Sequence, residues 1–487
     1  MVVSKNKQPK IRVLFSYISS RKLPILISIF YFVIVLVLLL NRFWQYEVFY
    51  YDHGYAERAA YQVAHLQNPT WDRDGRVSIF TDHVYPSLLL LFAPFYWIWN
   101  SYLTPVVILA VLWAAIPLIA YEIGFALKIN KFMLYSLMFA FLFFIGTQNA
   151  IIFFLKDISV SIPFFLLLLL AILKRKIKLY YLLLLLNLGF KETITVTTIS
   201  LGIGLILFYD RSFRKHAVAT IIISVVYGLF ISRIFVPFVI FKSYGHLQSY
   251  GFNPDLIPNP LYYLYNLFNT PQKRETIITS LSTFGFLPIF TPLGFLLVLQ
   301  DYAQRFVLIQ ANSPLRQGLN LHYNISLAAL CFFGSLLAVS KLQTKKYYKK
   351  LIYIHAVLII IGVIIMHRFI YHGPFGLLYN KDFFKITKNM KFMDDFVNKI
   401  PKNGKIMTQN NLAVRFTHND LYILSSKNYV EQIQPDVVAM DFRPGQNINN
   451  YWPMTTEKMI ALAQDLKENE NYNSLLNEEY RYIFIKK

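Results

Sequence analysis

The stretch Phe49-Tyr50-Tyr51-Asp52-His53-Gly54 follows the first long apolar run of the chain, which extends from about Leu23 to Leu40. It stands near the start of a polar loop, residues 41–82, whose far end carries Thr81-Asp82-His83. An apolar run of this length is enough to cross a membrane as a helix. Residues 54–66 show an amphipathic pattern suited to a helix that lies in the membrane interface. We therefore expect the rest of the chain to hold this loop at a membrane surface.

The amino-acid composition is that of a membrane protein. Of the 487 residues, 56% are hydrophobic and only 15% are charged, a balance that soluble domains do not have. The formal net charge is +22, but the Lys and Arg residues lie in short clusters between apolar runs, as in cytoplasmic loops of membrane proteins. We therefore expect no nucleic-acid partner. The single cysteine, Cys331, lies in an apolar run and allows neither a disulfide nor a CxxC metal site.

The basic N-terminus predicts the orientation of the chain. Residues 1–22 are rich in Lys and Arg and lack a small-residue cleavage site, so we expect them to be cytoplasmic and to precede an uncleaved signal anchor. Residues 23–366 then form the transmembrane domain, with loop 41–82 on the outer side. Further apolar stretches follow at about 84–99, 103–126, 132–152, 158–173, 179–190, 193–209, 217–240, 276–299, 323–340 and 350–366.

Basic clusters between the apolar stretches limit which of them can cross. The clusters mark cytoplasmic turns, and they leave room for only one crossing between His83 and Lys128, although two apolar stretches lie there. We expect 84–99, which contains two prolines, to lie on the surface or re-enter. The stretch 276–299 is interrupted by glycine and proline and predicts a broken or re-entrant pair. The stretches 158–173, 179–190 and 193–209 are expected to cross.

Residues 367–487 predict a small extracytoplasmic α/β domain, because short apolar segments alternate with helical ones. This tail contains neither a glycine-rich phosphate loop nor a nucleophile elbow, which favours a supporting or recognition role. Helices are expected near 381–398, 411–416 and 455–468. The predicted strands are Lys405–Thr408, Leu421–Leu424, Asp436–Met440 and Tyr482–Ile485.

On this topology, polar side chains gather on the outer face of the membrane. Charges within or beside membrane segments are costly, and their usual justification is a substrate, ion or catalytic site. We therefore interpret the group as a candidate site. Its members are Asp52, His53, Glu57, Arg58, Asp82, His83, Lys156, Asp157, Lys191, Glu192, His246, Asp301, Arg305 and His322.

Simpler explanations stay open for several of these residues. Lys191-Glu192 could be a hairpin tip wetted by the interface, and Arg305 could extend to the membrane surface. Asp52, like Asp82-His83, could cap a helix. As chemistry, Asp52, Asp82 and His83 offer ligand types for a divalent metal ion. Lys191 or Arg305 could neutralise a lipid-linked phosphate.

The order of several short motifs resembles the domain-of-unknown-function 2079 family of polytopic membrane proteins, which is grouped with the GT-C glycosyltransferases. The resemblance covers residues 48–340 and extends to the tail. Two positions depart from the family pattern: Glu57 and Arg58 stand where the family tends to show Asp and Gln, and Asp157-Ile158-Ser159 stands where it tends to show His-Pro-Glu. The matching motifs are Tyr51-Asp52-His53-Gly54, Asp82-His83-Val84-Tyr85-Pro86, Lys191-Glu192, Phe286-Leu287-Pro288 and His322-Tyr323.

The resemblance implies an all-α polytopic GT-C-like helical bundle with a small C-terminal α/β domain, in the plasma membrane. It implies hexosyl or pentosyl transfer from a polyprenyl-phosphate-type donor to a glycan, lipid or protein acceptor at the outer face. Asp52 would be the general base, while Asp82 and His83 would orient the site or bind metal. Lys191 and Arg305 would offset the charge of the leaving phosphate. Further substrate contacts would come from Glu192, His322, Asp157 and Arg58.

Two other function classes remain as alternatives. A lipid or small-molecule transporter would place its charges at mid-depth of the spans, often in two similar halves. This chain places them mainly at segment ends and shows no internal repeat, which favours an enzyme. A non-catalytic membrane scaffold, whose tail does the binding, is the third class.

Overall fold

The computed structural model describes residues 20–72, 75–240, 259–307 and 314–487. Most of these residues are helical, and a small sheet lies near the C-terminus, as predicted. Residues 1–19 of the expected cytoplasmic N-terminus lie outside the described residues. So does His246, which was assigned to the outer polar group.

Long apolar helices make up the first half of the chain. A π-helical turn, Tyr50–Gly54, leads into the second of them, and β1 (Thr70–Asp72) then pairs antiparallel with β2 (Arg76–Ser78). The helices are α1 Lys22–Trp44, α2 Tyr55–Ala64, α3 Pro86–Tyr96, α4 Thr104–Ala126, α5 Lys131–Phe143, α6 Ile145–Ile152, α7 Asp157–Leu173, α8 Ile177–Leu188, α9 Ile194–Phe208 and α10 Arg214–Leu229.

In the second half, local sequence signals set where helices begin. Proline occupies the first position of α11, α12 and α13, where its missing N–H would have no helical partner. The side chains of Asn259, Thr270 and Thr291 cap these helices by accepting hydrogen bonds from backbone N–H groups. The helices are α11 Pro260–Phe268, α12 Pro271–Thr283, α13 Pro292–Phe306, α14 Pro314–Gln317, α15 Asn324–Leu342 and α16 Lys346–Ile365.

The helices establish a multi-pass membrane protein. α3 has 11 residues, well short of the roughly 20 needed to span, so stretch 84–99 does not cross as one straight helix. α5 and α6 meet at a bend of 45° and count as one further span if taken together. In the described part of the chain, five helical segments are long and apolar enough to cross: Lys22–Trp44, Thr104–Ala126, Arg211–Val239, Asn324–Leu342 and Lys346–Ile370.

The break expected within stretch 276–299 is present. α12 ends at Thr283, and a 3-10 turn, Leu287–Phe290, separates it from α13. Gly285 adopts a φ of +59°, a conformation that glycine takes at little cost. Pro288, inside the turn, has no N–H to continue a helix.

The C-terminal sheet has five strands in the order β4-β3-β5-β7-β6. β3 runs parallel to both β4 and β5, and β7 runs antiparallel to β5 and β6. The sequence missed β6 because this edge strand is polar and mostly exposed, so it lacks an apolar pattern. The elements are α17 Lys388–Lys399, β3 Lys405–Thr408, α18 Asn410–Ala413, β4 Asp420–Ile423, α19 Lys427–Ile433, β5 Val437–Asp441, α20 Thr456–Glu468, β6 Tyr472–Glu478 and β7 Arg481–Lys486.

The expectation that residues 54–66 lie in the membrane interface is wrong. α2 packs against α3 and against β1, and both its apolar and its charged positions are buried, including Glu57 and Arg58. Its polar face therefore contacts protein instead of water or lipid head groups. The amphipathic pattern is real, but the C-terminal domain provides the polar environment.

Loop 41–82, which we call the outer loop after its predicted side of the membrane, docks on the C-terminal domain through hydrogen bonds made by buried groups. Arg58 donates to the backbone oxygens of Thr417 and Asn419, at 3.2 and 2.7 Å. Asp72 accepts from the backbone N–H of Ile423 and from the Tyr429 hydroxyl. Because isolated buried charges are costly, these contacts tie loop and domain into one packed unit.

Candidate active site

A series of charged side chains links several loops, with opposite charges alternating along it. Asp52 Oδ1 lies 3.1 Å from Lys156 Nζ, and the next residue, Asp157, places Oδ2 3.0 Å from Lys191 Nζ. Glu192, which follows Lys191, accepts a 2.6 Å hydrogen bond from His83 Nδ1. We call the following residues the ion-pair chain: Asp52, Lys156, Asp157, Lys191, Glu192 and His83.

The fold brings these residues together because they lie at helix ends on one side of the bundle. Lys156-Asp157 begins α7, and α8 returns from the basic turn at the other end of α7 to Lys191-Glu192. α8 has 12 residues. It therefore rises about 18 Å, less than the roughly 30 Å of a bilayer's hydrocarbon core. The crossing expected for stretch 179–190 is therefore not made by α8 as a single straight helix.

Burial argues against the simpler explanations of these charges. Lys191 is 7% exposed and Asp157 is 5% exposed, so the turn between α8 and α9 is not a wetted hairpin tip. Asp52 caps no helix, since the N-cap of α2 is Gly54 and that of the preceding turn is Phe49. α3 likewise has its N-cap at Tyr85, without a side-chain cap. These charged groups are buried to interact with one another.

The charged groups of the ion-pair chain shift one another's pKa values. Burial and the nearby Lys191 ammonium favour the neutral ring of His83, but the Glu192 and Asp82 carboxylates outweigh them and raise the pKa of His83 above the ordinary 6.5. Burial also opposes the charge of Glu192, yet His83 and Lys191 lower the pKa of this carboxyl to about 2. Both groups are therefore held in their charged forms over the weakly acidic range.

The pair of His83 and Glu192 predicts a pH-dependent contribution to stability. The raised pKa of His83 means that its contribution is complete below pH 6.5 and is lost as pH rises through the raised value. The lowered pKa of Glu192 means that its contribution is complete above pH 4.5 and is lost as pH falls toward 2. The decrease in thermal unfolding midpoint caused by Glu192→Gln should therefore be largest between these limits and shrink at alkaline pH.

The control for this measurement is Glu468→Gln, at an exposed carboxylate of α20. Its effect on the unfolding midpoint should be small at every pH. A loss for Glu192→Gln that stayed constant from weakly acidic to alkaline pH would contradict the assignment of His83 as the titrating partner.

A pocket of about 80 Å³ opens beside the ion-pair chain, and because four of its twelve lining residues are basic we call it the cationic pocket. Lys191 and His83 enter it from the chain, and Arg305 and Arg316 line the opposite wall; Asp301 contributes a carboxylate. Because an anion gains most from several convergent cations in a partly buried site, this lining suits a phosphate group.

Arg305 contacts several groups in the wall of the cationic pocket. Its guanidinium donates to the backbone oxygen of Arg316 through Nη2 (2.8 Å) and to Asn324 Oδ1 through Nη1 (2.8 Å). Its Nη1 also lies 3.6 Å from Asp301 Oδ2. Arg305 is therefore buried and engaged on several sides, and it does not extend to the membrane surface.

Arg316 is the cation of the pocket with the most freedom to bind a ligand. Its guanidinium lies over the Tyr323 ring, 5.8 Å from the centroid. Among the described residues, no carboxylate pairs with it. A partly exposed arginine without an acidic partner is well suited to bind an anion in a planar, bidentate manner.

A smaller apolar cavity of about 20 Å³, which we call the apolar cleft, adjoins this pocket between α7, α9 and α15. Ile158 and Ile194 line both cavities, and Phe165 and Leu330 line the inner one. The two cavities together place a group of basic side chains next to a small apolar cavity between helices. Their chemistry fits an anionic amphiphile, with its head group beside Lys191 and Arg316.

The remaining predicted residues lie at different distances from this pocket. His322 is buried, and its ring contacts Phe153 and Tyr323; burial and the nearby Lys156, Lys191 and His83 hold the pKa of His322 well below its ordinary value. His53 is also buried, at the turn before α2. Arg58 is not brought to the pocket, because its guanidinium is committed to the C-terminal domain.

The acidic residues near the outer loop surround one tyrosine. Burial and the carboxylates of Asp82, Asp157 and Asp52 together raise the pKa of Tyr55 well above its ordinary value. The Asp52 side chain is 34% exposed and faces Lys156, whose Nζ also donates to Tyr51 O at 3.1 Å. Asp52 is thus both accessible and fixed in orientation.

The donor set does not fit a metal ion. Within the described ranges, no three His, Cys, Asp or Glu side chains are arranged to hold one. Asp52 is directed to Lys156, while His83 is directed to Glu192. The suggested set of Asp52, Asp82 and His83 is therefore not assembled.

Sequence reasoning did not select Arg316 or Tyr323 as site residues. It placed Lys156 in the outer polar group but gave it no role. Arg316 lies in a polar loop where nothing in the spacing distinguishes it from an ordinary surface cation. Tyr323 appeared only as part of the His-Tyr motif, and its place beneath Arg316 depends on folding.

The motif order can be compared with known families now that the geometry is described. A family model described as "Predicted membrane protein (DUF2079)" matches residues 42–479. The chain belongs to this family. The match spans both the ion-pair chain and the C-terminal sheet, so the family comprises the bundle together with its tail. No match is found among curated proteins or among solved structures.

Proposed function

We propose that this DUF2079 protein is an integral membrane glycosyltransferase that moves a sugar from a polyprenyl-phosphate-type donor to an acceptor at the outer face of the membrane. The observation that carries the proposal is the cationic pocket at the helix ends, which shares Ile158 and Ile194 with the adjoining apolar cleft. A soluble sugar nucleotide would have no use for the apolar part. A lipid-linked sugar phosphate would use both parts.

In this proposal, the pocket stabilises the leaving phosphate. Lys191, Arg305 and Arg316 carry positive charge in a partly buried site, where attraction for a developing anion is stronger than in water. Arg316 has the freedom to contact the phosphate directly, and Arg305 holds the loop that presents it. The lipid tail would lie in the apolar cleft, between α7 and α15.

Asp52 is the proposed general base. Its carboxylate accepts the proton of an acceptor hydroxyl while that oxygen attacks the anomeric carbon of the donor. The bond between the anomeric carbon and the phosphate oxygen breaks, and the phosphate leaves with the electron pair. A single displacement of this kind inverts the configuration at the anomeric carbon. The ion pair with Lys156 orients Asp52 for this role.

The proposal includes a GT-C-like bundle in the plasma membrane, with a cytoplasmic N-terminus and the C-terminal domain outside. Basic turns such as Lys174-Arg175-Lys176, at the end of the bundle away from the site, support this orientation through the positive-inside rule. A cysteine introduced by Lys458→Cys, at an exposed position of α20, should react with an impermeant thiol reagent added outside intact cells. Labelling only after permeabilisation would reverse the orientation.

The test of function is consumption of a panel of polyprenyl-phosphate sugars by the purified protein in nanodiscs. Arg316→Gln should lower kcat/KM about tenfold to hundredfold, because a charge-assisted hydrogen bond contributes about 1.5–3 kcal/mol. Arg214→Gln, at an exposed arginine at the start of α10, is the matched control and should be close to wild type. If no donor is consumed while labelled lipid crosses vesicles, the protein is a transporter.

A further inference from the structure

A second cavity lies on the other side of the Asp52 turn, between the outer loop and the C-terminal domain. It has a volume of about 360 Å³, larger than the cationic pocket. Most of its polar lining consists of primary amides, which carry both hydrogen-bond donors and acceptors. The amides of this cleft, which we call the amide cleft, are Gln45, Asn389, Asn411, Gln446, Asn447 and Asn450.

Two amides of the cleft are buried with unused hydrogen-bonding capacity. Asn411 is 2% exposed and Asn450 is 6% exposed. Asn411 accepts a hydrogen bond from Gln409 and Asn450 donates one to Gln446. Asn411 Nδ2 and Asn450 Oδ1 nevertheless have no hydrogen-bond partner in the described part of the chain. Unpaired buried polar atoms are unusual in folded proteins, and here they occur as one donor and one acceptor in the same cleft wall.

The charges of the cleft disfavour an anionic ligand. Arg443 is its cation, and its guanidinium already donates to both carboxylate oxygens of Asp441, at 2.8 and 2.7 Å, and to Asn389 Oδ1. Glu47 is the carboxylate that lines the cleft. A neutral ligand that both donates and accepts hydrogen bonds would satisfy the amides without demanding a free cation.

We propose that the amide cleft binds a neutral carbohydrate, which, if the proposed function holds, is the acceptor. Adjacent hydroxyl groups of a sugar each donate and accept, and primary amides pair with them in both directions. A peptide side chain would instead call for a more apolar cavity. Met393 and Tyr46 supply only a small apolar surface, and the Tyr46 hydroxyl is committed to Asp394 Oδ1.

Two contacts connect the cleft to the residue immediately before Asp52. Asn410, the neighbour of Asn411, accepts a 3.2 Å hydrogen bond from the backbone N–H of Tyr51. Trp452, two residues after Asn450, packs edge-on against the Tyr51 ring with centroids 4.5 Å apart and is half exposed. An exposed indole offers a flat surface for a sugar ring. A carbohydrate held in the cleft could therefore extend past Trp452 toward Asp52.

The experiment measures binding of full-length protein in nanodiscs to an array of neutral oligosaccharides, with sialylated forms of the same oligosaccharides and unmodified peptides as comparison probes. The wild type should bind neutral oligosaccharides in preference to both. Asn411→Ala and Asn450→Ala should each weaken binding at least tenfold, and Asn389→Ala, at an exposed lining residue, should weaken it severalfold. The matched control is Asn449→Ala, an exposed asparagine outside the lining, which should bind as wild type.

Asn389→Ala keeps the test interpretable if Asn411→Ala and Asn450→Ala fail to fold. The Asn389 side chain is exposed, and its removal leaves no buried amide unpaired. The proposal is overturned if no neutral oligosaccharide binds, if peptides or sialylated forms bind better, or if all the lining variants bind as wild type. The assay contains no donor lipid. Carbohydrate binding without donor turnover would thus support carbohydrate binding by the amide cleft and contradict the proposed glycosyltransferase activity. Donor turnover without carbohydrate binding would contradict only the proposal for the cleft.

Discussion

Asp52→Asn is expected to reduce sugar transfer by about 10²- to 10⁴-fold, the usual contribution of a positioned general base. An amide keeps the size of the carboxylate but cannot accept the proton of the acceptor hydroxyl. The loss should appear in kcat, because in the proposed mechanism the donor phosphate is bound by Lys191 and Arg316 and not by Asp52. The measurement is steady-state transfer by protein in nanodiscs, with donor binding determined separately.

Two variants make this result specific to Asp52. Asp382→Asn, at an exposed carboxylate paired with Lys385, should leave transfer unchanged. Asp82→Asn should lower transfer less than Asp52→Asn, since Asp82 is proposed only to orient the site. Full activity of Asp52→Asn together with an inactive Asp82→Asn would assign the base to Asp82 instead.

Lys191→Met is expected to produce the largest loss of folding stability. It would leave Asp157, which is 5% exposed, as a buried carboxylate without its cation. Breaking a buried ion pair on one side costs about 3–5 kcal/mol, whereas replacing both partners by uncharged groups is often close to neutral. The double variant Lys191→Met/Asp157→Leu should therefore recover much of the stability, although not the activity. The free energy of unfolding in mixed micelles measures both effects.

The matched control is Lys427→Met, which removes the cation of the exposed pair with Asp465. Exposed pairs contribute little to stability because water and salt screen them, so this variant should unfold like the wild type. If Lys191→Met and the double variant were equally destabilised, the methionine would be acting through packing, and the charge argument would fail.

The sequence predicted much of the site through one constraint. Apolar stretches and basic turns fix which loops share a side of the membrane, and this reasoning placed Asp52, His83, Asp157 and Lys191 on one face without any knowledge of helix packing. The pairing of their charges follows a simple physical rule, since buried charges require partners. Which residue pairs with which depends on packing between helices and was not predictable.

The interaction of the outer loop with the C-terminal domain shows the limit of sequence reasoning. Glu57 and Arg58 gave α2 the pattern of an interfacial helix, because a polar face looks the same whether water or protein covers it. Arg58 finds its acceptors 359 and 361 residues later in the chain, and no local signal reports such a partner. Similarly, the amide cleft is formed by residues 45–47 and by residues after 388, so neither half shows a binding site alone.

The long separation along the chain between Arg58 and its acceptors sets the order in which parts of the protein can fold during synthesis. The outer loop emerges with the first helix, but the backbone groups that receive Arg58 and Asp72 are made only after every membrane segment has been inserted. Until then, Arg58 of α2 lacks its backbone acceptors, and quality-control proteases would meet an exposed, incompletely folded loop. Chains that stop before residue 417 should therefore be degraded quickly, even though all their membrane helices are present.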